Sequence, residues 1–284
     1  MELSRPLTEK YAEATRRLSD LESTLVAYSG GVDSALLAKL AYDALGSQAL
    51  AVIAVSESLP ARELRAARVV AEEIGVPLRE ARAYELQNEE YAKNAPNRCY
   101  FCKDELFTQL EAVSEETGIQ NVVYGANLDD TGDYRPGMEA ARKWRVHAPL
   151  LEAGMTKEDI RALSKALGLS TWNKPALACL SSRFPHGTRI TAKKLAQVDA
   201  AEDCLHGLGY RQFRVRHHED PSGGWTIARI EMAPEEMARV FQNGAHETIA
   251  STLREIGYRF VSLDLDGYRT GSLNPQLITI APPA

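Results

Sequence analysis

The sequence predicts an α/β protein, a doubly wound parallel sheet followed by a smaller C-terminal α+β domain. Three observations carry this. The apolar run Leu25-Val26-Ala27 hands over through Tyr28-Ser29-Gly30-Gly31-Val32-Asp33-Ser34 to the helical pattern Ala35-Leu36-Leu37-Ala38-Lys39-Leu40, so a buried strand is turned into a helix by two glycines. Short apolar strands then alternate with helical segments, as a parallel sheet requires. Around Pro185 to Thr191 this alternation gives way to the order αββαβ, which puts a boundary there and predicts domains at 1–188 and 189–284.

Taken in order, Thr8 to Leu21 carries apolar positions at helical spacing and reads as a packing helix ahead of the first strand. Ala49 to Val55 reads as the second strand, Ala61 to Ile74 as a helix stopped by Gly75 and Pro77, and Leu78 to Tyr84 as the third strand. The turn cluster Asn94-Ala95-Pro96-Asn97 delays the next helix, whose period runs from Asp104 to Thr117. Asn121 to Tyr124 is a short strand entering Gly125-Ala126-Asn127-Leu128-Asp129-Asp130, and Lys157 to Leu167 is a helix closed by Gly168. In the second domain Lys193 to Leu208 is helical, Phe213 to His217 and Trp225 to Glu231 are strands, Pro234 to Ile256 is helical, and Phe260 to Leu265 is a strand.

At 284 residues, 44% hydrophobic and 25% charged, the chain is long enough for two ordinary cores. No window approaches the ~18 apolar residues of a membrane span and no basic-then-apolar leader opens the sequence, so no membrane contact and a cytoplasmic location are expected. The net charge of −6 argues against a broad grip on nucleic acid. In a reducing compartment the four cysteines are expected to serve as metal or redox groups, or as buried apolar residues, rather than as disulfides.

The glycine turn aims unpaired amides of the loop and of the helix N-terminus at one point, where an anion can accept them. Gly30 and Gly31 let backbone approach a ligand, Ser29 and Ser34 add hydroxyl donors, and Asp33 can hold a divalent cation such as Mg2+ that bridges phosphate oxygens. A Walker loop would carry a lysine where Asp33 stands, so this loop suits pyrophosphate better than γ-phosphoryl transfer. In a parallel sheet the Gly125 loop opens on the same edge, which brings Asn127 and Asp130 toward the nucleotide.

Cys99-Tyr100-Phe101-Cys102 stands at a helix start, where residues three apart share a face and the helix dipole favours thiolate. Cys179, in Ala178-Cys179-Leu180-Ser181-Ser182-Arg183-Phe184-Pro185, could add a third sulfur. Three thiolates satisfy three irons of a [4Fe-4S] cluster and leave the fourth open to exogenous sulfide, whereas for Cys99 and Cys102 alone zinc completed by a histidine such as His186 competes on nearly equal terms. Cys204, inside a helix, reads as a small buried apolar residue. Arg214 and Arg216 alternate on one strand face and can fork onto a phosphate, whereas His217 and His218 point to opposite faces and do not easily share an ion.

Ser29-Gly30-Gly31-Val32-Asp33-Ser34 resembles the signature of the ATP pyrophosphatase, or PP-loop, superfamily, whose adenine nucleotide alpha hydrolase-like fold adenylates a carboxyl or carbonyl oxygen and releases pyrophosphate. With Asp133-Tyr134-Arg135-Pro136-Gly137, Trp172-Asn173-Lys174, Ser181-Ser182-Arg183-Phe184-Pro185 and Arg214-Val215-Arg216, the resemblance extends over nearly the whole chain to the LarE family. It implies an ATP-dependent sulfur transferase that adenylates pyridinium-3,5-biscarboxylic acid mononucleotide and converts its carboxylates to thiocarboxylates, in making the nickel-pincer nucleotide of lactate racemase. It implies Ser29, Gly30, Gly31, Asp33, Ser34, Asn127 and Asp130 at ATP and Mg2+. Ser182, Arg183, Arg214, Arg216 and Arg269 fall at the mononucleotide substrate, with the acidic Glu202 and Glu231 close by. Members that sacrifice their own cysteine carry it one position before Cys179, where this chain has Ala178. The trio Cys99, Cys102 and Cys179 resembles instead the cluster-bearing form, in which a [4Fe-4S] cluster carries the sulfide that is transferred and Cys179 belongs to the reacting centre. A homo-oligomer such as a hexamer is also implied, while the sulfide source stays open.

Three rivals share parts of this reading. A cluster-dependent tRNA thiolase would need a basic surface, which the acidic balance disfavours. An amide-forming ligase such as a synthetase of NAD or GMP would leave the cysteines incidental. A nucleotide-binding regulatory module would not turn ATP over.

Overall fold

β1 (Thr24–Tyr28) is buried at every position because the sheet around it is covered on both faces. The protein is seen in a computed structural model that describes residues 3–132, 136–175, 178–269 and 272–273, the side chains of 132 and 136–139 excepted. β2 (Ala49–Val55), β3 (Leu78–Arg82) and β4 (Val122–Tyr124) join β1 in parallel, in the order β3-β2-β1-β4. Val26 and Tyr28 point into the core shared with α1 (Arg5–Ser19), α2 (Val32–Leu45), α3 (Ala61–Ile74) and α5 (Lys157–Ala166). Leu25 and Ala27 point to the other face, onto Phe107 and Leu110 of α4 (Arg98–Thr117). The period of two along one strand therefore feeds two apolar layers, and the sheet is doubly wound as the sequence predicts. Its strand order reverses between β1 and β4, and the crevice beyond their carboxyl ends is where such sheets take ligands.

The chain divides into two compact units, Met1–Glu85 with Cys99–Leu177 and Leu86–Arg98 with Ala178–Ala284. This division falls earlier than the expected 188/189 boundary, and it moves 86–98 to the second unit. Paired backbone accounts for the transfer: Gly187 N donates to Asn94 O (3.0 Å) and Ile190 N to Ala92 O (2.8 Å). Tyr91 and Ser181 hydroxyls meet at 2.6 Å, and Asn94 Nδ2 donates to Pro185 O at 2.8 Å.

In the second unit β5 (Phe213–Glu219) and β6 (Thr226–Met232) are antiparallel, and β7 (Phe260–Leu263) lies parallel to β6. Phe213, Val215, Ala228, Ile230 and Met232 face Ala201 and Leu205 of α6 (Ala192–Gly207) and Ile249 and Leu253 of α7 (Ala245–Glu255), giving the expected two layers. Two helices differ from expectation. The one expected at Asp104 begins at Arg98, directly after the turn cluster. The one expected from Pro234 to Ile256 is broken: a turn of helix Pro234–Met237 and a tight turn Ala238–Phe241 precede Asn243 and Gly244, whose φ of 53° and 73° lie in the left-handed region, and α7 starts only after them.

Candidate active site

In the first unit, β1 ends at Tyr28, whose hydroxyl donates to Ala67 O (2.9 Å) and pins the strand end to α3. Gly30 then turns with φ +68°, and a Cβ on it would stand 2.6 Å from the Cβ of Ala67, so only glycine fits. Gly31 is the N-cap of α2, and no side chain caps that helix. Its opening amides are therefore available as donors to an anion. Ser34 Oγ stiffens the loop, accepting the Ser29 amide (3.1 Å), meeting Ser29 Oγ (3.0 Å) and donating to Gly31 O (3.2 Å).

The β4 loop closes against this turn. A Cβ on Gly125 would lie 3.0 Å from the Ser34 amide nitrogen, so the glycine admits the close approach. Asn127 Nδ2 donates to Asp33 Oδ1 at 3.4 Å, and its own amide donates to Asp130 Oδ2 at 3.0 Å. The structure thus brings Ser29, Gly30, Gly31, Asp33, Ser34 and Asn127 together, with Asp130 behind Asn127. Sequence reasoning missed two lysines here. Lys174 Nζ donates to Gly30 O (3.0 Å) and pairs with Glu63 (3.0 Å), holding the loop to α3. Lys157 Nζ forms an ion pair with Asp33. Lys174 lay within a motif already singled out, but nothing local marked Lys157, which is 124 positions from its partner.

Cys99 and Cys102 sit in the first turns of α4, Cys99 exposed and Cys102 partly buried, and neither is in a disulfide. In the second unit Cys179 precedes the one-turn helix Leu180–Arg183. Its carbonyl accepts from Ser182 N (3.0 Å), Ser182 Oγ (2.8 Å) and Arg183 Nη1 (3.1 Å), so its backbone is held from three sides. Among the described residues no three His, Cys, Asp or Glu side chains gather as a metal site. Cys99 and Cys102, outside disulfides and three apart on one face of α4, are a pair of donors of the kind a metal centre takes. Cys204 is partly buried against the second core, as expected, and burial pushes its thiol up despite a hydrogen bond with Thr252.

Arg183, expected at the substrate, is 1% exposed and forked onto the fully buried Glu202, with Nε–Oε1 2.8 Å and Nη2–Oε2 2.9 Å. Its remaining arm donates to Ala178 O (2.8 Å), Cys179 O and Ser182 Oγ (2.9 Å). Burial would raise the Glu202 carboxyl, but the Arg183 charge and hydrogen bonds outweigh it and hold it below the usual range. Arg216 donates to one oxygen of Glu231 through both Nε (2.9 Å) and Nη2 (2.8 Å), and also donates to Ser182 O (2.8 Å) and Ser272 Oγ (2.9 Å). Glu202 and Glu231, expected as acids near the site, are thus the buried counterions of two arginines. Arg214 lies over the Tyr268 ring at 5.2 Å, and burial followed by the nearby Arg183 charge lowers its pKa. A cation so crowded gains from an anion beside it. Arg269 is largely exposed and pairs with Asp266 (2.7 Å), one residue beyond that stacked tyrosine. His186 stays outside any metal cluster among the described residues, and its Nδ1 is buried with no hydrogen-bond partner. Asp133, Tyr134 and Arg135, from the segment that carried part of the resemblance, lie outside the described residues.

Sheet, switch point and glycine loop place the chain in the PP-loop class of nucleotide-dependent enzymes, and residues 9–98 match the family model of NAD synthase. Full-length relatives narrow this. The chain is 38% identical over 272 residues to pyridinium-3,5-bisthiocarboxylic acid mononucleotide synthase of Lactiplantibacillus plantarum, covering 95% of this chain and 96% of the relative. It is 42% identical to an uncharacterized protein of Synechocystis sp. (95% and 99% covered) and 26% identical to one of Methanocaldococcus jannaschii (87% and 90% covered). The chain belongs to the LarE family of ATP-dependent, adenylating sulfurtransferases. Among the described residues no helix is long and apolar enough to cross a membrane.

Proposed function

We propose that the chain adenylates the carboxylates of pyridinium-3,5-biscarboxylic acid mononucleotide and converts them to thiocarboxylates. The observation that carries this is an aspartate, not a lysine, at the uncapped start of α2, in a chain that aligns nearly end to end with a named thiocarboxylate synthase. A carboxylate is a poor electrophile until its oxygen leaves as part of AMP. The amides of the Gly30–Gly31 turn and of α2 then receive the departing pyrophosphate. Asp33, a partly exposed carboxylate in the first turn of α2, would hold a divalent cation, and Mg2+ bound there would supply charge to the phosphate oxygens. Ser29, Ser34 and Asn127 hold the loop that carries it.

In the same reading Arg214, with Arg269, receives the substrate phosphate, while Arg183 and Arg216 with Glu202 and Glu231 position Ser182 and Cys179. A [4Fe-4S] cluster held by Cys99, Cys102 and Cys179 would supply an iron without a protein ligand, and so a place for exogenous sulfide. Family resemblance supports a cytoplasmic homo-oligomer serving nickel-pincer nucleotide synthesis.

The test is anaerobic turnover with ATP, mononucleotide and sulfide. AMP, pyrophosphate and more than one thiocarboxylate per chain are expected, with iron and acid-labile sulfide present and each of Cys99→Ala, Cys102→Ala and Cys179→Ala losing iron. ADP and phosphate as products would remove the adenylation step. A loss of about 34 Da at Cys179, the mass of hydrogen sulfide, would replace the cluster with a sacrificial cysteine.

A further inference from the structure

After β7 the chain turns back toward the arginines of β5. Asp264 N donates to Ile230 O (2.8 Å), and the turn that follows closes with Gly267 N donating to Asp264 O (3.1 Å). Gly267 then takes φ +69°, and a Cβ on it would stand 2.8 Å from Met232 O, so only glycine lets the chain lie this close to the end of β6. The approach allows Tyr268 N to donate to Met232 O at 2.7 Å. Met232 is paired with Phe213 in the β5–β6 ladder, so Tyr268 arrives beside the residue that precedes Arg214, and the Arg214 guanidinium lies 5.2 Å from the centre of its ring. Arg214 Nη1 also donates to Phe213 O at 2.8 Å. Burial and the charges of Arg183 and Arg216 act against a cation at this place, while the ring and Glu202 act for it.

We propose that Tyr268 is a positioning residue for the substrate, its ring face holding the Arg214 guanidinium in the orientation that receives the phosphate of the mononucleotide. This deepens the reading of Arg214 as a phosphate ligand and rests on it. A ring face attracts a guanidinium stacked on it, and stacking engages the face of the guanidinium while its N–H groups point outward in its own plane, the direction in which an oxyanion accepts them. A long side chain held this way loses less freedom when the phosphate arrives. The Gly267 turn and the Tyr268 amide set the ring from the backbone, so its place does not depend on the arginine.

The test uses the full chain and ribose 5-phosphate, which carries a sugar phosphate without a pyridinium ring, followed by calorimetry beside turnover of the mononucleotide. Tyr268→Leu should bind ribose 5-phosphate about fivefold or more weaker, and should raise the KM of the mononucleotide by a similar factor with kcat and the KM of ATP unchanged. Tyr268→Phe keeps the ring face and should stay within about twofold of the parent in both. The Arg214 Nε–H proton resonance, shielded by the ring, should move downfield in Tyr268→Leu and hardly at all in Tyr268→Phe. Unchanged ribose 5-phosphate binding in Tyr268→Leu overturns the proposal, as does an equal loss in Tyr268→Phe, which would assign the effect to the hydroxyl. A fall in kcat joined to a rise in the KM of both substrates is the mark of a merely structural role and overturns it too. Arg214→Ala separates the underlying reading: if that variant also binds ribose 5-phosphate as the parent does, Arg214 is not the phosphate ligand, and the proposal falls with that assignment.

Discussion

The loop around Asp33 and the arginine cluster around Cys179 use charge in contrasting ways. At the loop, the paired side chains Asp33 and Lys157 are 23% and 34% exposed, and the helix amides beside them are uncapped. In the cluster, the side chains of Arg183 and Glu202 are 2% and 0% exposed, and those of Arg216 and Glu231 7% and 0%. A half-exposed pair is worth little and exchanges partners readily, whereas a buried pair is held in place by the cost of leaving either charge alone. The loop is therefore equipped to trade protein contacts for ligand contacts. The cluster is architecture, which fixes the backbone of Ala178, Cys179 and Ser182 so that Cys179 stands in one place.

The largest expected effect tests that division directly. Arg183→Ala leaves the buried Glu202 carboxylate without its counterion and removes a donor from the Ala178 and Cys179 carbonyls, and should cost about 3–5 kcal/mol in denaturant unfolding. Lys157→Met, at the exposed pair, should cost at most about 1 kcal/mol by the same measurement. Replacing both members, Arg183→Met with Glu202→Leu, should recover much of the stability, because an apolar pair carries no desolvation cost. A loss of stability from Arg183→Ala as small as that of Lys157→Met would break the comparison.

At the loop the rigid part is backbone, and Gly30→Ala sharpens this. The new Cβ meets Ala67 at 2.6 Å and the residue must hold φ +68°. Strain and overpacking together should cost about 2–4 kcal/mol. The readout is ATP affinity beside melting temperature: both should fall, whereas Gly31→Ala, with its nearest contact an ordinary 3.5 Å, should leave the melting temperature nearly unchanged.

These contrasts mark what sequence shows and what it hides. The Gly30–Gly31 turn, strands β1 and β2, helix α3 and the spacing of Asn127 were legible because each is fixed by neighbours along the chain. The pairing of Arg183 with Glu202, on a separate helix, was not legible, because burial of a charge has no local signature. Lys157 was invisible for the same reason. The break before α7 turned on the left-handed conformation of Asn243 and Gly244, which the helical period on either side concealed.

The smallest effect concerns pH and separates the two units by their histidines. Only His147 of the six lies in the first unit. In the second, His217 is 1% exposed against Phe184 and Tyr258, and burial pushes its pKa down although Glu219 partly opposes it. His218 is lowered by burial and then by Arg229, whose Nε donates to His218 Nε2 at 3.0 Å and so requires that nitrogen to be unprotonated. An unfolded histidine takes up a proton near pH 6.5, while these two resist it in the fold. Their contribution to stability is thus complete above about pH 6.5 and is lost as pH falls through their lowered folded values. Glu202, a carboxylate held below its usual range, keeps its contribution throughout that window and loses it only in stronger acid. Hydrogen exchange at pH 7.5 and 5.5, corrected for intrinsic rates, should show protection falling in β5 and β6 but holding in β1 and α2. His218→Gln should shrink the fall. An equal loss of protection in β1 would mean that the acid sensitivity does not reside in these imidazoles.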